Sequence, residues 1–149
     1  MTEEDELLGL HKYWIWCDEM RRNFNERIKQ HPLPRNADAG RAVLEDVILM
    51  CYLSLWYSLL YVLCEAWQKK RNLRDVNIEQ LLSNEEMLGK LKKFRNGTFH
   101  YQPRYFDPQK FIPFLVLGRE SAGWARQVHG AFKEFFERRF AEQGWWPEN

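Results

Sequence analysis

Arg95, Asn96 and His100 place a permanent cation, an amide and an imidazole within six residues, in the stretch Phe94-Arg95-Asn96-Gly97-Thr98-Phe99-His100-Tyr101. Lys90, Lys92 and Lys93 come just before it. Arginine grips a phosphate with a rigid fork of donors, and histidine exchanges protons near neutral pH. In principle this set is enough to cleave RNA by acid–base chemistry without a metal. No other stretch offers a comparable set: no Gly-rich phosphate loop, metal-ligand cluster or Ser/His/Asp series stands out.

Charge supports a local rather than a global polyanion site. The formal net charge is only +1, so the whole chain does not demand a nucleic-acid partner. Residues 89–110, however, hold Lys90, Lys92, Lys93, Arg95, Arg104 and Lys110 against Asp107 alone. A second basic cluster is Lys69, Lys70, Arg71 and Arg74. Each reads either as a solvated helix face or as a cationic rim beside the histidine.

The elements that must carry these residues read as helices. At 149 residues the chain suits a single domain, 1–149. Aromatic content of 15% implies a large core or an aromatic surface that meets a partner. Thr2 and Asp5 resemble a capping box opening a helix from about 3 to 30, with Leu7, Leu10, Trp14, Cys17, Arg21, Phe24 and Ile28 on one side. His31-Pro32-Leu33-Pro34 ends it, and Asp38 caps a second, long helix reaching about Arg71. Asn72 to Asn77 reads as a connector, and Ile78 to Leu82 as a single turn. Ser83 with Glu86 forms a second capping box, and Asn96-Gly97 should end the helix that follows. Asp107-Pro108 opens a helix with Phe111, Phe114, Leu115 and Leu117, kinked at Pro113. The last helix, about Glu120 to Gln143, turns Ala125, Val128, Phe132, Phe135, Phe136 and Phe140 inward and stops at Gly144. The expected fold is all-α, an up-and-down bundle of four to five helices with a long central second helix.

Val47 to Cys64 is free of charge over eighteen residues, which meets the length of a membrane span. Its tyrosines and Trp56 lie along the run rather than at its ends, and Glu45, Asp46 and Glu65 flank it. These features favour the buried centre of a bundle over a span, hence no membrane. Cys17, Cys51 and Cys64 have no metal or CxxC spacing, and the acidic N-terminus has no basic segment ahead of an apolar core. Reduced thiols and a cytoplasmic location are expected.

On an unbroken helix, five residues separate Arg95 and His100 by about 140°. Convergence on one phosphate then requires a turn at Asn96-Gly97, a second copy of the chain, or both.

Arg95-Asn96-x-x-x-His100 resembles the Arg/His signature of HEPN domains. Lys93-Phe94-Arg95-Asn96 with Phe99-His100-Tyr101 is similar to the AbiU-type, abortive-infection branch. Leu60-Tyr61-Val62-Leu63-Cys64-Glu65-Ala66-Trp67 is similar to that branch's second helix. The resemblance implies a helical bundle that homodimerises, bringing two Arg–His motifs into one cleft. It implies a metal-independent endoribonuclease of the toxin or antiphage-defence type, with no cofactor and sometimes an antitoxin protein as partner. His100 would be the acid/base group and Arg95 the phosphate grip. Asn96 would orient one of them, and Glu65 would be a polar partner from the long helix. Lys92, Lys93, Tyr101 and Arg104 would bind the RNA, and the products would end in 2′,3′-cyclic phosphate.

Other readings of these residues stay open. Arg95 and Glu65 could form a simple ion pair. Tyr101, Tyr105 and Phe106 could stack on bases, but a cover for the end of the bundle is favoured. Trp145, Trp146 and Pro147 read as a tail docked on the bundle or on a second subunit. His11, His31 and His129 read as structural or exposed. The whole chain could also be a non-catalytic module for dimerisation or partner binding.

Overall fold

The computed structural model describes residues 1–30, 39–104, 107–115 and 118–145. These residues form six helices and no strand, so the class is all-α. The helices are α1 (Glu3–Gln30), α2 (Ala39–Lys69), α3 (Val76–Leu82), α4 (Glu85–Phe99), α5 (Pro108–Leu115) and α6 (Arg119–Glu142). The element beyond the expected four to five is α3. Asp75 caps it by accepting from the Ile78 N–H at 2.9 Å, which turns the expected single turn into a helix. The features expected at His31 to Asp38, Tyr105, Phe106, Leu117, Trp146 and Pro147 lie outside the described residues.

Long α1 and α2 run antiparallel: Glu6 bonds the N–H groups of Arg71 and Asn72, Cys17 meets the Trp56 carbonyl, and Arg27 pairs with Glu45. Returning alongside α1, α6 packs Trp14 on His129 and His11 on Phe136, with Arg139 pairing to Glu3. It also lies against α3, where the Trp124 indole donates to the Leu81 carbonyl. On α2 sits α4, and α5 covers α4.

The aromatic residues fill the core where these helices meet. Trp67 meets Phe132 and Phe135 edge-on, while Tyr57 does the same with Phe94 and Phe114. All six inward positions expected of α6 are buried. On α1 the expected stripe is buried at Leu7, Leu10 and Cys17, but Ile28 is exposed. The core stops short of that end of the hairpin.

The same boundary corrects the reading of α2. Its segment Gly40–Lys69 is long and apolar enough to cross a membrane by length and composition, and 39% of an apolar eighteen-residue stretch within it is buried. Burial is concentrated from Trp56 onward, while Val43, Leu44, Val47 and Cys51 face outward. The C-terminal half is the wrapped part of this helix, with α4 meeting it at Tyr57 and Tyr61 and α6 at Trp67.

Candidate functional site

The helix that carries the Arg/His motif begins one residue later than a Ser83 cap would give. Asn84 accepts from the Met87 N–H at 3.1 Å, while Ser83 closes α3 by donating its hydroxyl to the Gln80 carbonyl. Glu85 and Glu86 sit in the first turn, where the helix dipole favours them. Met87, Leu88, Leu91 and Phe94 bury one face of α4.

Asn96-Gly97 does not end α4. The helix continues to Phe99, and the His100 N–H bonds the Asn96 carbonyl at 3.1 Å. Packing overrides the turn tendency of the dipeptide. A Cβ on Gly97 would lie 2.7 Å from Lys110 Cβ and 3.0 Å from Phe111 Cζ. Gly97 is thus a point of close approach between α4 and α5, and it is buried within regular helix. The turn expected to swing His100 back toward Arg95 is absent.

His100 is the C-cap residue, in extended backbone, with an exposed side chain. Lys92, Lys93, Phe99, Tyr101 and Arg104 are exposed too, and Asn96 is half-buried. Helical spacing orders the outward face of α4 as Arg95, Phe99, Lys92, Asn96, His100 and Lys93, with Arg95 and His100 about 140° apart. By that spacing they stand at the two edges of one basic, partly aromatic face, and no hydrogen bond among the described residues joins them. Tyr101 is 91% exposed, so it does not cover the end of the bundle.

Arg95 is half-buried, with its Cζ 4.8 Å from the centre of the Tyr61 ring on α2. Its Nε is buried without a hydrogen-bond partner. Glu65, expected to pair with Arg95 or His100, instead faces Lys69 of its own helix at 3.6 Å. No hydrogen bond or ion pair among the described residues joins it to either. Burial first, and the charge of Glu65 second, raise the Tyr61 phenol above its ordinary pKa, while Arg95 opposes them. The ring therefore stays neutral through the physiological range.

Sequence reasoning missed Tyr61, although it precedes Glu65 by one helical turn and shares its face of α2. It also read His129 only as structural or exposed, without its partners. His129 Nε2 lies 2.8 Å from Asp18 Oδ1, and His129 Nδ1 lies 3.8 Å from the Cys17 thiol. Asp18 is held as well by Arg21 and Arg22. Its spacing to those arginines was legible, but nothing in the sequence joins it to a residue on α6. Burial foremost pushes the Cys17 thiol well above its usual pKa, so this thiol is no nucleophile. Comparison of the chain with protein-family models, curated proteins and solved structures finds no match in any of the three.

Proposed function

We propose that this chain is a metal-independent, HEPN-like endoribonuclease of the toxin or antiphage-defence type, cytoplasmic and active as a homodimer. The observation that carries the reading is the outward face of α4, where a guanidinium with no ion pair among the described residues, an amide and an exposed imidazole stand among Lys92, Lys93 and Phe99. Arg95 grips the scissile phosphate and stabilises the charge that develops on it. His100 takes the proton of the ribose 2′-hydroxyl. O2′ then bonds to phosphorus and the P–O5′ bond breaks. The leaving O5′ takes a proton from water, to which the imidazole returns its own. The products end in 2′,3′-cyclic phosphate and 5′-hydroxyl. Asn96 lies between the two groups on the helix face and orients the phosphate or the imidazole. Glu65 makes no hydrogen bond or ion pair with Arg95 or His100 among the described residues and lies 3.6 Å from Lys69, so the scheme gives it no direct part.

The ideal-helix separation of about 140° supports a reading in which a second copy completes the site, with Arg95 of one chain facing His100 of the other. Lys92, Lys93, Tyr101 and Arg104 line the RNA path. An antitoxin protein would act by covering this face.

The test is cleavage of single-stranded RNA with EDTA present. Arg95→Ala and His100→Ala should each abolish cleavage without changing helicity or oligomeric state. Full cleavage by His100→Ala would end the proposal. The exposed stripe Val43, Leu44, Val47 and Cys51 favours a second reading, a non-catalytic dimerisation or partner-binding module. That reading requires that no RNA be cut at any protein concentration.

A further inference from the structure

A cation that is to receive a phosphate must be held still without being neutralised. A carboxylate partner would hold Arg95 but would occupy its donors and cancel its charge. The structure uses a ring instead. Tyr61 is 7% exposed, and its ring centre lies 4.8 Å from Arg95 Cζ, within the range where a guanidinium is attracted to an aromatic face. The nearby acid, Glu65, is turned to Lys69. Arg95 Nε is buried against this arrangement with no hydrogen-bond partner, so an anion cannot reach it. The two η nitrogens make no hydrogen bond to the protein among the described residues, and the side chain is only half-buried. They are the donors left for a ligand, and two such donors match two oxygens of one phosphate.

We infer that Tyr61 is a positioning residue that holds Arg95 edge-outward as an uncompensated seat for a phosphate group. The inference rests on the proposed reading of Arg95 as the phosphate grip. It assigns the work to the ring face and not to the hydroxyl, so Tyr61→Phe should be silent and Tyr61→Leu should not.

The experiment follows the Arg95 Nε–H signal of the full chain by two-dimensional NMR, assigned by its disappearance in Arg95→Lys. In the unliganded protein the signal should be moved upfield by the ring current of Tyr61 and exchange slowly with water. Inorganic phosphate should shift it in a saturable way. Tyr61→Phe should keep both properties. Tyr61→Leu should lose the ring shift and weaken phosphate binding about tenfold, the scale of one cation–π contact. RNA cleavage should fall by a similar factor in Tyr61→Leu, while His100→Ala, inactive, should retain the phosphate response. A signal without ring shift in the unsubstituted chain would overturn the inference, and this is read even where Tyr61→Leu fails to fold. Unchanged phosphate affinity in a folded Tyr61→Leu would overturn it as well. A chain that cuts no RNA, yet shows a phosphate response that Tyr61→Leu removes, would refute the ribonuclease reading and uphold the seat.

Discussion

His129 sits where α1 and α6 press together, 6% exposed, with its Nε2 on Asp18 and the Trp14 ring 5.3 Å from its own. Burial foremost lowers its pKa from 6.5, with Arg21 and Lys133 adding to that effect, while Asp18 opposes it. The unfolded chain therefore binds a proton more readily than the folded one as pH drops below about 6.5, and stability falls with it. Asp18 adds a second loss in the same direction. Burial would raise its pKa, but Arg21 and His129 outweigh burial and hold it below 3.8, so its contribution disappears only under stronger acid. Thermal unfolding followed from pH 8 to pH 4 should show the melting temperature dropping from about pH 6.5 downward, and His129→Gln should flatten the first part of that drop. An equally steep drop in the variant would place the titration elsewhere. The same contrast explains what was legible at this scale. Arg95, Asn96 and His100 are neighbours in sequence, and their chemistry reads directly. Tyr61 with Arg95, and Asp18 with His129, are pairs made by packing between helices, and no local pattern announces them.

Helix ends were legible where one side chain bonds its own next turn. Thr2 and Asp5 exchange the reciprocal bonds of a capping box, and Asp107 accepts from the Gln109 N–H. Gly144, at φ 69°, closes α6 as expected: the Trp145 N–H reaches the Phe140 carbonyl and the Gly144 N–H reaches that of Ala141. Trp145 then stacks on Phe140 at 5.9 Å, which meets the expected docking for that residue of the tail. Gly144→Ala should cost about 1–2 kcal/mol by forcing a side chain into the left-handed region. Two glycines of α4 give a sharper test, because they differ only in what surrounds them. Gly89 is exposed, and a methyl group there would meet nothing within 4 Å, whereas Gly97 faces Lys110 and Phe111. Helix propensity favours alanine at both by about 1 kcal/mol. Gly89→Ala should therefore raise stability in urea unfolding. Gly97→Ala should lower it, since overpacking costs about 1–3 kcal/mol. A gain at both sites would mean that α5 does not press on α4. The misreading of Asn96-Gly97 as a turn has the same root: glycine serves close approach as readily as chain reversal, and sequence alone does not tell them apart.

At the scale of the whole molecule, the proposed two-residue reaction has to be served by one unbroken helix. The all-helical class and the inward face of α6 were legible because periodicity reports burial. The outward half of α2 was not, because an apolar run reads alike whether its cover is its own chain, a second copy or nothing. With α4 unbroken through Gly97, Arg95 and His100 of one chain diverge, so the proposed cleavage needs Arg95 from one copy and His100 from another. This has a consequence that no single variant reveals. Arg95→Ala and His100→Ala chains, each inactive alone, should regain activity when mixed. A mixed dimer pairs the intact Arg95 of one chain with the intact His100 of the other, and its second site lacks both groups. Random exchange makes half of the dimers mixed, each with one working site of two, so equimolar mixing should restore about a quarter of the unsubstituted rate. The rate should appear only after the subunits have had time to exchange, and should fall on dilution below the dimer dissociation constant. If both groups act within one chain, every site in every mixture lacks one of them, and mixing restores nothing. Zero recovery from two folded, exchanging variants would therefore return the reaction to a single chain, in which α4 would have to unwind at Asn96-Gly97 before catalysis.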